Sequence, residues 1–554
     1  MYICRSMKYV YLLLFCPFVY ASAYAQDKGT YSKDFAMGND MLTKKNYSQA
    51  LRYFSSAYKA DSSSANINYK IGRCYIAMDG EKATAIRYLE KAVTNISATY
   101  NPVNSAQVSA PYNAYYYLGI GYHASYKFGE AINSFKSFRD HVISKDSLSE
   151  IDHRIEQCNN ARMFILVPNN AKVINLGDSI NSSYSDYNAL IASDESSMIF
   201  TSAKPLINGP SENGNDHSYI YISYPKNDTG WAFAHMLDKT INGKTENASS
   251  FITLDGQELF ITQGDGKSST IMTSFINSDH WDTPEDPGGD INNPASSTNV
   301  CVSPDGSTLY FVSDRPGGFG GKDIWRCVKL PNGKWSLAVN LGSTINTPYN
   351  EETPFMHADG KTFFFSSEGH TGIGGYDIFF TQLLDNGKWV DPFNLGYPIN
   401  TPDNETHFSL SGDSKHGYLN SDRPNSKGGL DIYKVIMPNS GEKPLTVIKG
   451  QIVLDNGTAL PDEVHIVATD NVTGQSIGDF KPVKSTGSYT IIVPSGKNYT
   501  LSYQNGNKEF YTEIIEVPGD AGYKEIRKAL TLSPFTWKVT AIDSTNNGEH
   551  KDQK

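Results

Sequence analysis

The sequence predicts a multidomain chain: an α-helical repeat array, then an all-β propeller of five blades, or six, then a small β-sandwich. Three observations carry this reading. Small and apolar residues recur at helical spacing three times between residues 33 and 165. Trp231, Trp281, Trp335 and Trp389 advance by 50, 54 and 54 residues, and Asp255, Asp305, Asp359 and Asp413 advance by the same steps. Two landmarks that keep step over three periods mark a repeat, and four short strands per period of about 50 residues make a propeller blade. From 445 to 535 the strands alternate with Asn-Gly, Thr-Gly and Ser-Gly turns, as in a sandwich.

Length and charge bound the function. With 554 residues, 39% of them hydrophobic, the chain has material for several cores. A net charge of −11 without a clustered basic run excludes a nucleic-acid partner. At the N-terminus, Arg5 and Lys8 precede the apolar run 9–20, and "ASAYA" (21–25) ends in a small-x-small pattern. Residues 1–25 therefore read as a cleavable secretory signal. The run is far shorter than the ~20 residues a membrane span needs. Phe15 ahead of Cys16 speaks against a lipoprotein site, so membrane association is expected to be peripheral.

Cleavage leaves Cys74, Cys158, Cys301 and Cys327, too few for a disulfide framework in an exported chain of this size. Cys301 stands where other repeats carry Phe251 and Phe355, which suits a small core side chain. A Cys301–Cys327 bridge is the alternative.

The helical stretch 33–165 holds three copies of one pattern. They run through Gly38, Ala50 and Phe54, then Gly72, Ala85 and Leu89, then Gly119, Ala131 and Phe135. The pattern resembles the tetratricopeptide repeat, which implies paired helices and a concave face that binds a peptide or a partner domain. A packing module that only orients its neighbours is the other reading. Residues 95–111 form a loop inserted between copies two and three, and 150–165 a capping helix.

The propeller covers 171–437, with second strands expected at 196–202, 257–262, 307–314, 361–367 and 416–421. The fifth copy stops after "LDIYKVIM" (430–437), while "AKVINLGDSIN" (171–181) matches the outer segments of other repeats but has no blade before it. Residues 171–181 are thus expected to complete the fifth blade and close the ring. The stretch "SDRPGGFGGKDIW" (313–325) is not a phosphate loop, because it precedes a strand and recurs at 367–379 and 421–433. Its glycines are expected to make a hairpin with positive φ, and Arg315 to pair with Asp323, Arg423 with Asp431. The run "SPDGSTLYFVSDRPGGFGGKDIW" resembles TolB-like propellers. Blades one and two depart from it at Ser202, Ala203 and Lys204 and at the plain turn 264–269.

Residues 445–535 resemble the carboxypeptidase-regulatory-like domain, a prealbumin-type sandwich without catalytic residues of its own. The polar tail 543–554 is expected to be disordered. No HExxH, GxSxG or CxxC is present. His357, His370, His407 and His416 are scattered through blades four and five. Asp314, Glu368 and Asp422 hold equivalent repeat positions, which favours a shared structural role. No catalytic, cofactor-binding or metal-ligating residue is assigned, no cofactor is expected, and the chain is expected not to be an enzyme.

The domain order resembles gram-negative envelope proteins of the OmpA family associated with type IX secretion and gliding, here without the OmpA-like domain, so peptidoglycan anchoring is not expected. That resemblance implies a non-catalytic exported adaptor in the periplasm, bound to proteins at the outer membrane. The alternative is a glycan-binding or glycan-cleaving propeller.

Overall fold

The computed structural model describes residues 29–541, apart from 79, 206–216, 227–229, 244, 265–267, 278–279, 293–295, 413, 438–444, 520–523 and 534–537. The signal segment 1–25, the tail 543–554, Asp413 and part of the turn 264–269 lie outside the described residues. Two compact units emerge, Met1–Met163 and Phe164–Lys554.

The first unit is helical: α1 (29–43), α2 (Tyr47–Ala60), α3 (Ala65–Ile76), α4 (Ile86–Ala92), α5 (Asn113–Ala124), α6 (Phe128–Arg139) and α7 (Lys145–Leu166). Asn46 and Ser64 cap α2 and α3 by accepting from Gln49 N and Ile67 N. Small residues let the paired helices close up. A Cβ on Gly38 would sit 2.5 Å from the Phe54 ring, one on Gly72 2.5 Å from Leu89, and one on Gly119 2.6 Å from Phe135. Phe54, Leu89 and Phe135 are fully buried. The three copies therefore share one pairing register, α1 with α2, α3 with α4, α5 with α6. The last helix is longer than the sequence suggests, with Ile151, Gln157, Cys158 and Ala161 buried.

Among the described residues the second unit holds seven four-stranded sheets. The first sheet runs Asp186–Ile191, Met198–Ser202, Tyr219–Ser223, His235–Met236, and the second Glu246–Ile252, Glu258–Gly264, Ser269–Asn277, His280–Trp281. The third runs Ser297–Val302, Thr308–Ser313, Asp323–Val328, Val339–Asn340, and the fourth Glu351–Met356, Thr362–Ser367, Asp377–Gln382, Phe393–Asn394. The fifth contains Glu405–Leu410, His416–Ser421 and Asp431–Ile436, and its outer strand is Lys172–Asn175 from the start of the unit. That is the closing strand the sequence called for.

The first strands of these five sheets touch in chain order, and the fifth touches the first. Apolar side chains fill the seams between neighbouring sheets. Ile199 meets Leu259 and Ile261; Phe260, Phe311 and Phe363 share one cluster; Phe364 meets Phe408 and Tyr433; Tyr418 meets Phe200 and Trp231.

The remaining two sheets, built on Leu445–Leu454 and Val464–Asp470, share one core that includes Ile448, Ile466, Ile491, Tyr499, Leu501 and Leu530. This region runs past the expected boundary at 535, because Lys538–Ala541 pairs with Lys524–Ser533. Among the described residues no helix is long and apolar enough to cross a membrane.

Candidate functional site

The ring is held by an asparagine clamp that repeats five times. Asn181, Asn242, Asn292, Asn346 and Asn400 each accept from the backbone N–H and donate to the carbonyl of a third-strand isoleucine: Ile432, Ile220, Ile271, Ile324 and Ile378. All ten bonds lie between 2.6 and 2.9 Å. The side-chain amide replaces a neighbouring strand just where the fourth strand ends. Asn181 precedes the first sheet yet clamps the fifth, so the same contact also closes the ring.

Each first strand carries a β-bulge near its middle. Asn188, Asn299, Thr353 and His407 occupy these bulges with φ of 57, 39, 52 and 52°. A β-branched Thr in that region is strained, and such strain collects at sites the rest of the fold over-determines. The bulges turn polar groups inward. Asn188 Nδ2 donates to Ser249 O at 2.9 Å, Ser249 Oγ donates to Asn188 O at 2.9 Å, and His407 N donates to Thr353 Oγ1 at 3.1 Å. Thr353, His407, Ser250 and Ser409 share a small axial cavity of about 40 Å³ with apolar neighbours such as Leu190, Phe251 and Phe355. Burial pushes the His407 imidazole down to about 3, so it stays neutral.

The two ends of the ring differ. At the end where the first strands finish, Leu445, Val447 and Ile492 of the two-sheet region pack on Leu254 and Ala358, and Lys449 Nζ reaches Asp194 Oδ2 at 2.6 Å. The other end, where the first strands begin, presents half-buried Tyr187, Thr298, Glu352 and Thr406 and exposed Glu246. Glu352 is ion-paired with Lys322 and accepts from Tyr376 Oη at 3.3 Å. Burial, with Glu352 and Glu368 nearby, raises the Tyr376 phenol far above its ordinary value, so it remains a donor.

Against known structures, this chain is similar to TolB from Acinetobacter baumannii, at 15% identity over 47% of this chain and 56% of that one, with a TM-score of 0.27. It is similar also to an endo-arabinase from Bacteroides thetaiotaomicron VPI-5482 (17% identity, 49% of this chain, 98% of that one, TM-score 0.31). A third match is an α-L-arabinofuranosidase from Lactobacillus brevis (14% identity, 47% and 94%, TM-score 0.32). The chain spans little more than half the length of that TolB. No family model and no curated protein matches the sequence.

The fold is propeller-like. At these identities the likeness says nothing of substrate. It does correct one expectation, that the chain is not an enzyme, because arabinanase and glycoside hydrolase propellers stand among the structures it resembles.

The residues singled out in the sequence fall into several settings around the propeller. Contrary to expectation, Arg315 and Arg423 do not pair with Asp323 and Asp431. Arg423 Nη2 donates to Ile399 O at 2.8 Å and to Glu405 Oε1 at 3.1 Å, while Arg315 Nη2 donates to Ile291 O at 2.8 Å and Nη1 reaches Asp290. The aspartates instead accept from hairpin amides: Asp323 from Phe319 N and Gly320 N, Asp377 from Ile373 N and Gly374 N, Asp431 from Lys427 N and Gly428 N. Asp323 and Asp431 take these amides three or four residues away, which leaves the long guanidinium of Arg315 or Arg423 to reach the loop before its own sheet.

Within 317–321 only Gly317 has positive φ. Gly320 is needed for another reason: a Cβ there would run into Tyr349 O, as one on Gly374 would into Thr401 O and one on Gly428 into Tyr184 O.

Glu368 and Asp422 share a role, accepting from Asn350 Nδ2 at 2.6 Å and Asn404 N at 2.8 Å, whereas Asp314 is exposed. His357 lies 3.3 Å from Ser414 Oγ, His370 Nε2 bonds Ile345 O at 2.9 Å, and His416 Nδ1 meets Glu195 at 2.8 Å, so the four histidines do not gather. Cys301 and Cys327 are buried and free, with Thr308–Ser313 lying between their strands. Sequence reading missed the asparagine clamp, although Asn292, Asn346 and Asn400 keep the 54-residue step.

Proposed function

We propose that the protein is exported to the cell envelope, holds a carbohydrate at the strand-start end of its ring, and recruits envelope protein partners through its helical region. In this reading the helical pairs are tetratricopeptide repeats and the five ring sheets are the blades of a TolB-like propeller. The two-sheet region is a carboxypeptidase-regulatory-like sandwich. The setting is the periplasmic side of the outer membrane, in type IX secretion or gliding machinery.

The observation that carries the carbohydrate reading is the asymmetry of the ring. One end is covered by apolar packing, and the other gathers a tyrosine, two threonines and a carboxylate, Glu352, from separate sheets. Hydroxyls and carboxylates on a rigid scaffold suit a ligand made of hydroxyls, and an aromatic ring suits the apolar face of a sugar. Cleavage would require a second carboxyl about 5–9.5 Å from the first. Glu246 begins the second sheet, which is not adjacent to that of Glu352.

Calorimetric titration with a panel of pentose and hexose oligosaccharides tests this reading. One sugar class should bind, and Glu352→Gln should weaken it by about tenfold, the worth of a charge-assisted hydrogen bond. Shortened products on chromatography would extend binding to cleavage. A panel with no binder would sink the carbohydrate reading.

A further inference from the structure

The insertion 95–111 lies along α3 and is held there largely through its backbone. Asn66 donates its N–H to Val108 O at 3.0 Å and its Nδ2 to Gln107 O at 2.9 Å, and Tyr100 Oη returns a bond to Asn66 Oδ1 at 2.7 Å. Lys70, 1% exposed, donates its Nζ to Pro102 O at 3.1 Å and to Asn39 Oδ1 of α1 at 2.6 Å. Val103 and Val108, by contrast, remain 73% and 52% exposed. The segment thus presents three carbonyls and the Tyr100 ring, packed edge-on against Tyr69, to the helix, and the side chains of Val103 and Val108 to solvent. Any extended peptide offers carbonyls at similar spacing, so little in this contact is peculiar to the segment that now makes it.

The covered face is cationic. Beside Lys70, the Arg73 guanidinium lies 5.7 Å from the Tyr69 ring centre and 5.4 Å from that of Tyr117 on α5. Both acceptors of the Lys70 ammonium are neutral oxygens. Burial, reinforced by Arg73, pulls the ammonium down to about 8. A carboxylate would be a stronger acceptor than either oxygen, because both partners would then be charged. The residues involved come from α1, α3 and α5, the first helix of each pair, so the face crosses all three copies.

We propose that this face is a docking site for an extended acidic peptide segment, and that residues 98–108 are a built-in strap that occupies it until such a segment takes its place. The strap is easily shed in principle, since its ends already meet: Ser97 N donates to Ala110 O at 2.9 Å and Ala110 N to Asn95 O at 2.8 Å. A segment that buries few side chains opens at low cost relative to the helices beneath it. The proposal stands independently of the carbohydrate reading.

The test uses the full chain, intact and with residues 98–108 replaced by Gly-Gly. The probe is a fluorescein-labelled decapeptide of alternating Glu and Ala, compared with its Gln counterpart. The strapless chain should bind the Glu peptide about tenfold more tightly than the intact chain and than it binds the Gln peptide, and Lys70→Met in the strapless chain should abolish that preference. Equal binding by intact and strapless chains, or equal binding of the two peptides, overturns the proposal.

Should the replacement cost the helical unfolding transition, Tyr100→Phe loosens the strap by one hydrogen bond. It should raise deuterium uptake across 98–108 but not across α3, and raise affinity for the Glu peptide. No rise in affinity overturns the proposal as well.

Discussion

Asn175 donates its Nδ2 to Asp431 Oδ2 at 2.6 Å, across 256 residues of sequence. The third sheet makes the same bond between neighbours in the chain, Asn340 to Asp323, at 2.7 Å. The closing strand therefore carries its side-chain chemistry with it as well as its backbone pairing. The clamp by Asn181 adds a second contact of the same kind, and Trp231 packs edge-on against Tyr418, with ring centres 6.2 Å apart.

The closure predicts a large cost for one small change. Asn181→Ala would strand the N–H of Ile432 inside the seam, at roughly 1–3 kcal/mol for the orphaned group, while the Ile432 carbonyl keeps only its 3.2 Å bond from Leu176 N. Guanidinium unfolding followed by tryptophan fluorescence should show the variant's midpoint well below wild type. An unchanged midpoint would mean that the ring does not depend on its N-terminal segment.

Arg423 predicts a second loss. Glu405 is fully buried and among the described residues its ion-pair partner is Arg423, so Arg423→Ala leaves a buried carboxylate without a countercharge. Breaking such a pair from one side costs about 3–5 kcal/mol. Adding Glu405→Gln should recover part of that loss. If the single variant is as stable as wild type, the ion pair is not what holds this seam.

The fourth sheet lacks that arginine, and a pH dependence follows. Gly369 and His370 stand in its place, and His370 Nε2 takes the Ile345 carbonyl that corresponds to the Ile399 carbonyl bonded by Arg423. Glu351 is left with Thr347 and Ser367 as partners, and burial pushes its carboxyl up to about 7.

A carboxyl raised in the folded state favours folding in its protonated form. It costs nothing below about pH 4.5, and the penalty grows until it is complete above about pH 7, where it reaches roughly 3 kcal/mol. Glu351→Gln should therefore be more stable than wild type at pH 8, with the difference closing towards pH 5. The hydroxyls of Thr347 and Ser367 can turn to accept from the new amide. A difference that does not change with pH would contradict the titration of this group.

In the helical region, Gly119→Ala should destabilise one transition without the other. Its methyl would meet the Phe135 ring, which is fully buried and cannot swing aside. Overpacking of this kind costs typically ~1–3 kcal/mol. Calorimetry should show the helical transition falling while the β-rich one stays in place; no shift in either would show that the helix pair has room to spare.

What the sequence determined by itself was periodic: three helix pairs, the step of the β repeat, and the orphan strand segment at 171–181. Periodicity records which positions face a core, and every copy restates it, so it can be read without knowing where the copies lie. The partners of individual charged groups were decided only in three dimensions. Arg423 and Asp431 suggest a pair because they flank one hairpin. In the folded chain the aspartate is satisfied by amides three and four residues away, and the guanidinium has the reach to find Glu405 instead.

The same holds for the ends of the ring. Nothing in the spacing of the repeats says that Leu445, Val447 and Ile492 would cover one mouth and leave Glu352 and Tyr187 at the other. Nor does it say that 95–111 would lie along α3, because apart from Tyr100 the insertion is held through backbone carbonyls, which every residue has and no sequence pattern marks.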